Sequence, residues 1–197
     1  MVRLAETRQI TTLEQFIREV RGVSDAWDDV WFRGQEDADW KLQPKLHRYR
    51  RRIDEDEIRL EFQRQGRQMP GGSVPGNKWE WYFLMQHFGA PTRLLDWTDG
   101  ALIGLYFAVR KKTGKHGAAV WMLDPVWLNK VNARVSRDWE GVAYYEAAVV
   151  QSYLPDIFDS SLRVKWPVAI APPTHCYSPC GPAQSIHAQR NRCERVR

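Results

Sequence analysis

Two short segments combine polar and charged residues with apolar neighbours in a way that could form a binding or catalytic site. Arg33 ends the apolar run Val30-Trp31-Phe32 and is followed by Gly34 and Gln35. The second segment, Thr92-Arg93-Leu94-Leu95-Asp96-Trp97-Thr98, holds hydroxyls, a guanidinium and a carboxylate within a short stretch. A buried arginine needs carboxylate, carbonyl or phosphate partners, because an unpaired charge there costs several kcal/mol. The two segments therefore predict one polar pocket.

Asp96 is the obvious partner for Arg33, and two interpretations of the pair stay open. In the first, an Arg33–Asp96 ion pair joins two strands and has only a structural role. In the second, the guanidinium binds an anionic group of a ligand. An arginine fork suits both roles.

His87 lies between an apolar helical pattern and the turn Gly89-Ala90-Pro91. Its imidazole could donate to a ligand, transfer a proton, or cap the C-terminus of the helix. A single histidine in this position allows all three roles.

The elements that must position these residues follow from periodicity and from Gly and Pro signals. The pattern predicts helices at Thr11–Val20, Asp54–Arg67, Trp79–Phe88 and Ala101–Val109, and a turn of helix at Trp127–Val131. It predicts strands at Val30–Gly34, Ala118–Leu123 and Val164–Ile170, and a short strand or turn at Thr92–Thr98. No regular alternation of strand and helix and no Gly-rich phosphate loop is seen. We therefore expect an α+β fold, a single mixed domain with early helices and a small, mainly antiparallel sheet.

Three blocks of sequence resemble a known family. They are Trp31-Phe32-Arg33-Gly34-Gln35 with Trp40-Lys41-Leu42-Gln43-Pro44-Lys45-Leu46, then Gln86-His87-Phe88-Gly89-Ala90-Pro91-Thr92-Arg93-Leu94-Leu95-Asp96-Trp97-Thr98, then the apolar stretch Ala101–Ala108. Together they resemble the FRG domain, a bacterial and phage-associated family named after its Phe-Arg-Gly core. The final block of that family, with Ala-Gln before an aromatic residue, has no match: Ala183-Gln184 and Ala188-Gln189 lack the aromatic residue.

The resemblance implies an analogy with ADP-ribosyltransferase folds, in which a strand bearing an Arg-Gly or His-Gly pair precedes a Ser/Thr-containing strand that supports nicotinamide. On this analogy the substrate is NAD, in a toxin or phage-defence setting. The implied catalytic residues are Arg33, His87 and Asp96, and the implied cofactor-binding residues are Arg33, Gly34, Gln35, Thr92, Arg93 and Thr98. Glu140 or Glu146 could supply a late carboxylate, or could lie with Tyr144 and Tyr145 on a solvated helix face.

Two non-enzymatic alternatives stay open. The chain carries a formal net charge of +5, and Arg48, Arg50, Arg51 and Arg52 could contact nucleic-acid phosphates while Trp40 or Tyr49 stacks on bases. The other alternative is a ligand-sensing module in which the Arg33 pocket binds a nucleotide or small molecule without turnover.

The last stretch of the chain differs in composition from the rest. We expect a domain over residues 1–173 and an irregular, disordered basic tail over 174–197. All three cysteines, Cys176, Cys180 and Cys193, lie in this tail. Together with His187 they are residue types that can bind zinc, but they lack the closely spaced ligand pairs of a zinc knuckle. We therefore expect no metal. No stretch approaches the roughly 18 apolar residues of a membrane span, and we expect no membrane partner and a cytoplasmic protein.

Overall fold

The computed structural model describes residues 7–49, 53–66, 75–111, 116–131, 141–151, 153–154 and 169–171, and the backbone of two further strands at 184–187 and 193–196. The α-helices are α1 Leu13–Ser24, α2 Glu55–Gly66, α3 Lys78–His87, α4 Ala101–Val109, α5 Pro125–Val131 and α6 Ala148–Gln151, with a 3₁₀ turn at Lys45–Arg48. None of the helices in these described ranges has the length and apolar character needed to cross a bilayer.

The strands form two four-stranded sheets. They are β1 Thr7–Arg8, β2 Trp31–Gln35, β3 Leu94–Trp97, β4 Ala119–Leu123, β5 Ala143–Tyr144, β6 Ala169–Ala171, β7 Gln184–His187 and β8 Cys193–Val196. The first sheet has the order β1-β8-β4-β2 and the second the order β3-β7-β6-β5. Phe32 and Thr98 form an antiparallel bridge, which brings β2 beside the end of β3.

Local sequence signals define the helix ends. Thr12 caps α1, and Gln15 completes a capping box with it. Asn77 caps α3 by accepting a hydrogen bond from the Glu80 backbone N–H. Caps of this kind satisfy backbone donors that have no partner within the helix.

Helix α4 packs very closely on strand β2 through two glycines. A Cβ atom on Gly34 would meet backbone atoms of α4, with Phe107 C at 2.8 Å, and a Cβ on Gly104 would meet Phe32 Cβ at 2.9 Å. Glycine at both positions removes the side chains that would separate a helix from a strand.

Side chains of β2 alternate between two core clusters. Val30 and Phe32 pack with α1, α4 and β4 residues such as Phe16, Ala108 and Met122. Trp31 faces the other way, into a cluster with Leu95, Trp97 and Leu123. Because strand side chains alternate, Arg33 and Gln35 lie on the Trp31 face. A third cluster joins α3 to Leu94 and Ile170.

The predicted α+β class is confirmed. Four of the six strand pairings are antiparallel, and the pairings β1–β8 and β5–β6 are parallel, which fits the predicted, mainly antiparallel arrangement. Helix α5 begins at Pro125, earlier than predicted, because the Asp124 side chain caps it by accepting from the Trp127 N–H at 2.7 Å and proline suits a first helical position. The predicted strand at 164–170 lies partly outside the described residues.

The predicted domain boundary at residue 173 stays a prediction. Strands β7 and β8 fall within the tail that the sequence led us to expect as irregular. The other residues of the tail, and the side chains of these two strands, lie outside the described part of the structure.

Candidate anion-binding site

Arg33 lies on β2, at the junction of the two sheets. Its cross-strand neighbour in the register is Trp121 on β4. The Trp121 indole N–H donates to Gln35 Oε1 at 2.5 Å, and Gln35 Nε2 donates to the Lys41 carbonyl at 3.4 Å. These contacts fix the side chains beside Arg33, and Arg33 itself remains partly exposed.

The Arg33 guanidinium has few partners among the described residues. Nη1 donates to the backbone carbonyl of Asp96 at 2.5 Å. Nε is buried, and no described residue accepts a hydrogen bond from it. An arginine carries five N–H donors and no acceptor, so this hydrogen bond leaves most of the capacity of the guanidinium unused by the described residues.

Desolvation dominates the electrostatics of Arg33. Burial lowers its pKa to about 10, the negative charge of Asp96 opposes this change, and the positive charge of Arg48 adds to it. The guanidinium remains charged at neutral pH, in surroundings that disfavour its charge.

Asp96 does not form the side-chain pair with Arg33 that the first interpretation requires. Leu95 and Trp97 of β3 face the cluster that contains Trp31, and alternation turns the Asp96 side chain to the opposite face, towards α3. There Asp96 Oδ2 accepts from Gln86 Nε2 at 2.7 Å. Asp96 therefore acts on Arg33 through its backbone carbonyl and its charge.

Gln86 and Thr92 continue this polar chain. The Thr92 hydroxyl donates to Gln86 Oε1, and Thr92 Oγ1 accepts from the Leu94 N–H at 3.2 Å. Thr92 is fully buried, and its carbonyl accepts from the Leu46 N–H at 3.1 Å. Thr92 thus orients the Gln86 amide, and Gln86 holds the Asp96 carboxylate.

Arg93, a predicted cofactor-binding residue, is engaged elsewhere. Its Nε and backbone N–H donate to the two carboxylate oxygens of Glu55, at 2.5 and 2.8 Å, and its Nη1 donates to the Tyr153 carbonyl at 3.3 Å. Glu55 is 4% exposed. The pair joins the first turn of α2 to β3, and burial together with the Glu55 charge raises the pKa of the neighbouring Tyr82 hydroxyl.

The other predicted site residues take different positions. Gly34 makes the close approach to α4, and Thr98 bridges Phe32 and accepts from the Gly100 N–H at 3.1 Å. His87 is exposed in the last turn of α3 and packs edge-on against Phe88. Within the described ranges, no hydrogen bond joins His87 to the chain of Arg33, Asp96 and Gln86.

Arg48 adds a second positive charge near Arg33. It is exposed at the end of the 3₁₀ turn, and its Nε and Nη2 donate to the Gln43 carbonyl at 2.9 and 2.8 Å. The positive charges of Arg33 and Arg48 are close enough to act on each other, and the Asp96 side chain is turned towards Gln86. This arrangement is suited to binding an anion. Arg50, Arg51 and Arg52 lie outside the described residues.

The remaining predicted groups either make other contacts or lie outside the described residues. Glu146 is exposed and accepts from the Tyr145 hydroxyl at 3.1 Å, whereas Glu140, Cys176 and Cys180 lie outside the described residues. Among the described residues, Asp37, Asp39 and His116 bring ligand atoms close together. His116 Nδ1 lies 3.2 Å from Asp39 Oδ2 and 3.6 Å from Asp37 Oδ1, so these groups also satisfy one another.

Sequence reasoning missed two residues of this arrangement. Gln86 was part of the family resemblance but had no assigned role, and Arg48 was assigned to nucleic acid alone. Glu55 was also missed as the partner of Arg93. The sequence held a partial signal for Gln86. Neighbouring helix positions point in different directions, so only one of Gln86 and His87 can face the Arg33 segment, but this spacing does not say which one.

The comparisons with known proteins give one match. The family model of the FRG domain matches residues 28–117, just under half of the chain. The search of curated proteins and the search of solved structures each found no match. The matched residues include β2, α3, β3 and α4, and therefore Arg33, Arg48, Gln86, Thr92 and Asp96. Residues 28–117 of this chain are an FRG domain.

Proposed function

We propose that this FRG domain binds an anionic ligand through Arg33, and that the anion is the phosphate portion of a nucleotide such as NAD. One observation carries the proposal: the guanidinium lies in desolvating surroundings, and its buried Nε has no hydrogen-bond partner among the residues that the structure describes. Buried polar atoms in proteins nearly always have hydrogen-bond partners. A phosphate oxygen would supply both the missing acceptor and the missing negative charge.

The surroundings of Arg33 support a phosphate over an apolar ligand. Arg48 brings a second positive charge, and Gln86 holds the Asp96 carboxylate away from a direct ion pair with Arg33. The backbone hydrogen bond to Asp96 fixes one edge of the guanidinium. A fixed edge leaves the opposite edge pre-organised for a bidentate contact.

ADP-ribosyl transfer from NAD is the finer form of this proposal, and it rests on the family resemblance. In that reaction the bond between nicotinamide and ribose breaks, positive charge builds on the sugar, and an acceptor nucleophile forms the new bond to the ribose. The charge of Asp96, which acts on Arg33 from its position on Gln86, would help to stabilise such a positive charge. His87 would need to move to reach this site, because it lies exposed beside Phe88.

The setting in which the domain acts is part of the same proposal. The resemblance to bacterial and phage-associated proteins supports a cytoplasmic role in a toxin or phage-defence system. A nucleic-acid-binding role is the second candidate. It is favoured by Arg48 and by two exposed aromatic side chains in the same segment, Trp40 and Tyr49, each 48% exposed.

Titration calorimetry with NAD, ADP-ribose and pyrophosphate tests the first candidate. We expect the wild-type protein to bind at least one of these ligands. Arg33→Met should bind it at least 10-fold more weakly, which is roughly the contribution of one charge-assisted contact. Arg18→Met should bind as the wild type does. Arg18 is a suitable control because it forms an exposed pair with Glu14 on α1.

The outcomes separate the two candidates. Absence of heat with all three ligands would overturn the nucleotide proposal. Binding to single-stranded oligonucleotides that weakens steeply with salt and depends on Arg48 but not on Arg33 would favour the nucleic-acid role instead.

A further inference from the structure

Helix α4 presents an apolar face to solvent. Five of its large apolar residues remain exposed: Leu102 58%, Ile103 42%, Tyr106 60%, Phe107 43% and Val109 56%. Their positions at intervals of three and four place them on one side of the helix. The opposite side is buried against β2 at Gly104 and Ala108, so the exposed side cannot turn inwards.

The exposed area is large for one short helix. At about 200 Å² for each large side chain, with about half of each exposed, the face presents on the order of 500 Å². This area is in the upper part of the range of about 300–600 Å² for the largest apolar patch on a typical monomer, and such patches often have a function. Two such faces in contact would bury on the order of 1,000 Å², the lower limit for a specific interface.

The chemistry of the face favours a second copy of the same chain over other occupants. The helix sequence Ala-Leu-Ile-Gly-Leu-Tyr-Phe-Ala-Val contains no charged residue. Arg110, which follows the helix and lies 4.9 Å from the centre of the Phe107 ring, is already paired with Glu36, so the face does not select a charged partner. A helix that binds at a membrane surface carries a charged polar face opposite its apolar face, whereas the opposite face of α4 is packed on β2. An uncharged apolar patch is complementary to itself.

A two-fold arrangement would also allow the aromatic side chains of the two copies to pack against each other. Tyr106 and Phe107 pack edge to face, with ring centroids 5.5 Å apart. Two such pairs across a symmetry axis can continue the same edge-to-face packing, which adds to simple area burial. In an isologous interface each patch meets its own copy.

We infer that two copies of this chain associate through their α4 helices, around a two-fold axis, as a weak homodimer. The area lies near the lower limit for specific interfaces, which is typical of weak, reversible association. The interface uses Leu102, Ile103, Tyr106, Phe107 and Val109. It is separate from the Arg33 face of β2, because Arg33 and α4 lie on opposite sides of the strand.

Sedimentation velocity over about 1 to 200 µM protein tests this inference. Wild type should change from monomer to dimer over this range. Leu102→Glu and Tyr106→Glu should each weaken association by about 100-fold or more, because a buried unpaired carboxylate is strongly disfavoured. Leu60→Glu is the matched control, since Leu60 is 54% exposed on α2, and it should dimerise as wild type. Circular dichroism confirms that each variant is folded.

A charge-pair experiment distinguishes a specific dimer from general hydrophobic association. Leu102→Glu and Leu102→Lys should each be monomeric alone, and an equimolar mixture should recover dimer, because opposite charges then meet across the interface. A wild-type monomer at the highest concentration, larger aggregates of no fixed size, or a dimer that persists in both α4 variants would overturn the inference.

Discussion

Replacing Arg33 by methionine should stabilise the protein in the absence of ligand. Methionine keeps a long, flexible stem and removes the charge and its donors. If Arg33 served only to join two strands, the same change would remove a structural contact and lower stability. The sign of the change therefore separates a structural arginine from one retained for a ligand.

The expected size follows from the surroundings of Arg33. Lowering the pKa of Arg33 from 12.5 to about 10 means that its surroundings, burial above all, disfavour the charged form by about 3 kcal/mol. Methionine removes this penalty but leaves the Asp96 carbonyl without the donor it has from Nη1, at about 1–2 kcal/mol. We expect a net gain of about 1–2 kcal/mol in the free energy of unfolding.

Urea unfolding followed by tryptophan fluorescence measures this change, since the chain has 10 tryptophans. The buffer must contain no phosphate, because an anion in the site would stabilise the wild type. Arg93→Met is the control: it removes the guanidinium that pairs with buried Glu55, which keeps only its hydrogen bond from the Arg93 backbone N–H among the contacts with this residue, and it should lose about 3–5 kcal/mol. A loss of stability in Arg33→Met would refute the reasoning.

Three further predictions concern packing, a buried pair and pH. Gly34→Ala should destabilise the protein by about 1–3 kcal/mol, because its Cβ would meet the α4 backbone. In Gly22→Ala on α1 the new Cβ meets nothing within 4 Å, so the free energy of unfolding should rise by up to about 1 kcal/mol. Urea unfolding midpoints compare the two variants. Glu55→Gln should lower the thermal midpoint strongly, since Glu55 is buried with Arg93, and Glu61→Gln on the same helix should leave it unchanged. The pKa of Arg33 is lower in the folded chain than in the unfolded chain, so above about pH 10 the unfolded state holds more protons. The stability difference between Arg33→Met and wild type should therefore stay constant from about pH 6 to about pH 9. It should shrink as the pH rises through about 10, because the wild type then gains stability.

Periodicity in the sequence predicted the elements that carry the site, because each has a strong local signal. The Val30–Gly34 run and the uncharged Ala101–Val109 run correspond to β2 and α4. Glycine at 34 was recognised as part of a motif, but its contact with α4 is a long-range packing feature. No local pattern shows that two glycines far apart in the chain lie face to face.

The partners of the two arginines could not be read from the sequence for a different reason. Arg33 bonds a backbone carbonyl, and every residue has one. Arg93 pairs with Glu55, 38 residues away, in a segment with many other carboxylates. The choice of Asp96 for Arg33 was reasonable from proximity in the motif, and strand alternation directed its side chain to Gln86 instead.

The Arg33 Nε–H resonance gives the most direct test of the central claim that Arg33 receives an anionic ligand. In a ¹H–¹⁵N spectrum that covers arginine side chains, the signal is assigned by its absence in Arg33→Lys. Adding ADP-ribose or pyrophosphate should shift this signal in a saturable way and slow its exchange with water, because the buried Nε gains an acceptor. A ligand-saturated spectrum in which this signal stays unchanged, or in which only surface arginines shift, would contradict the account.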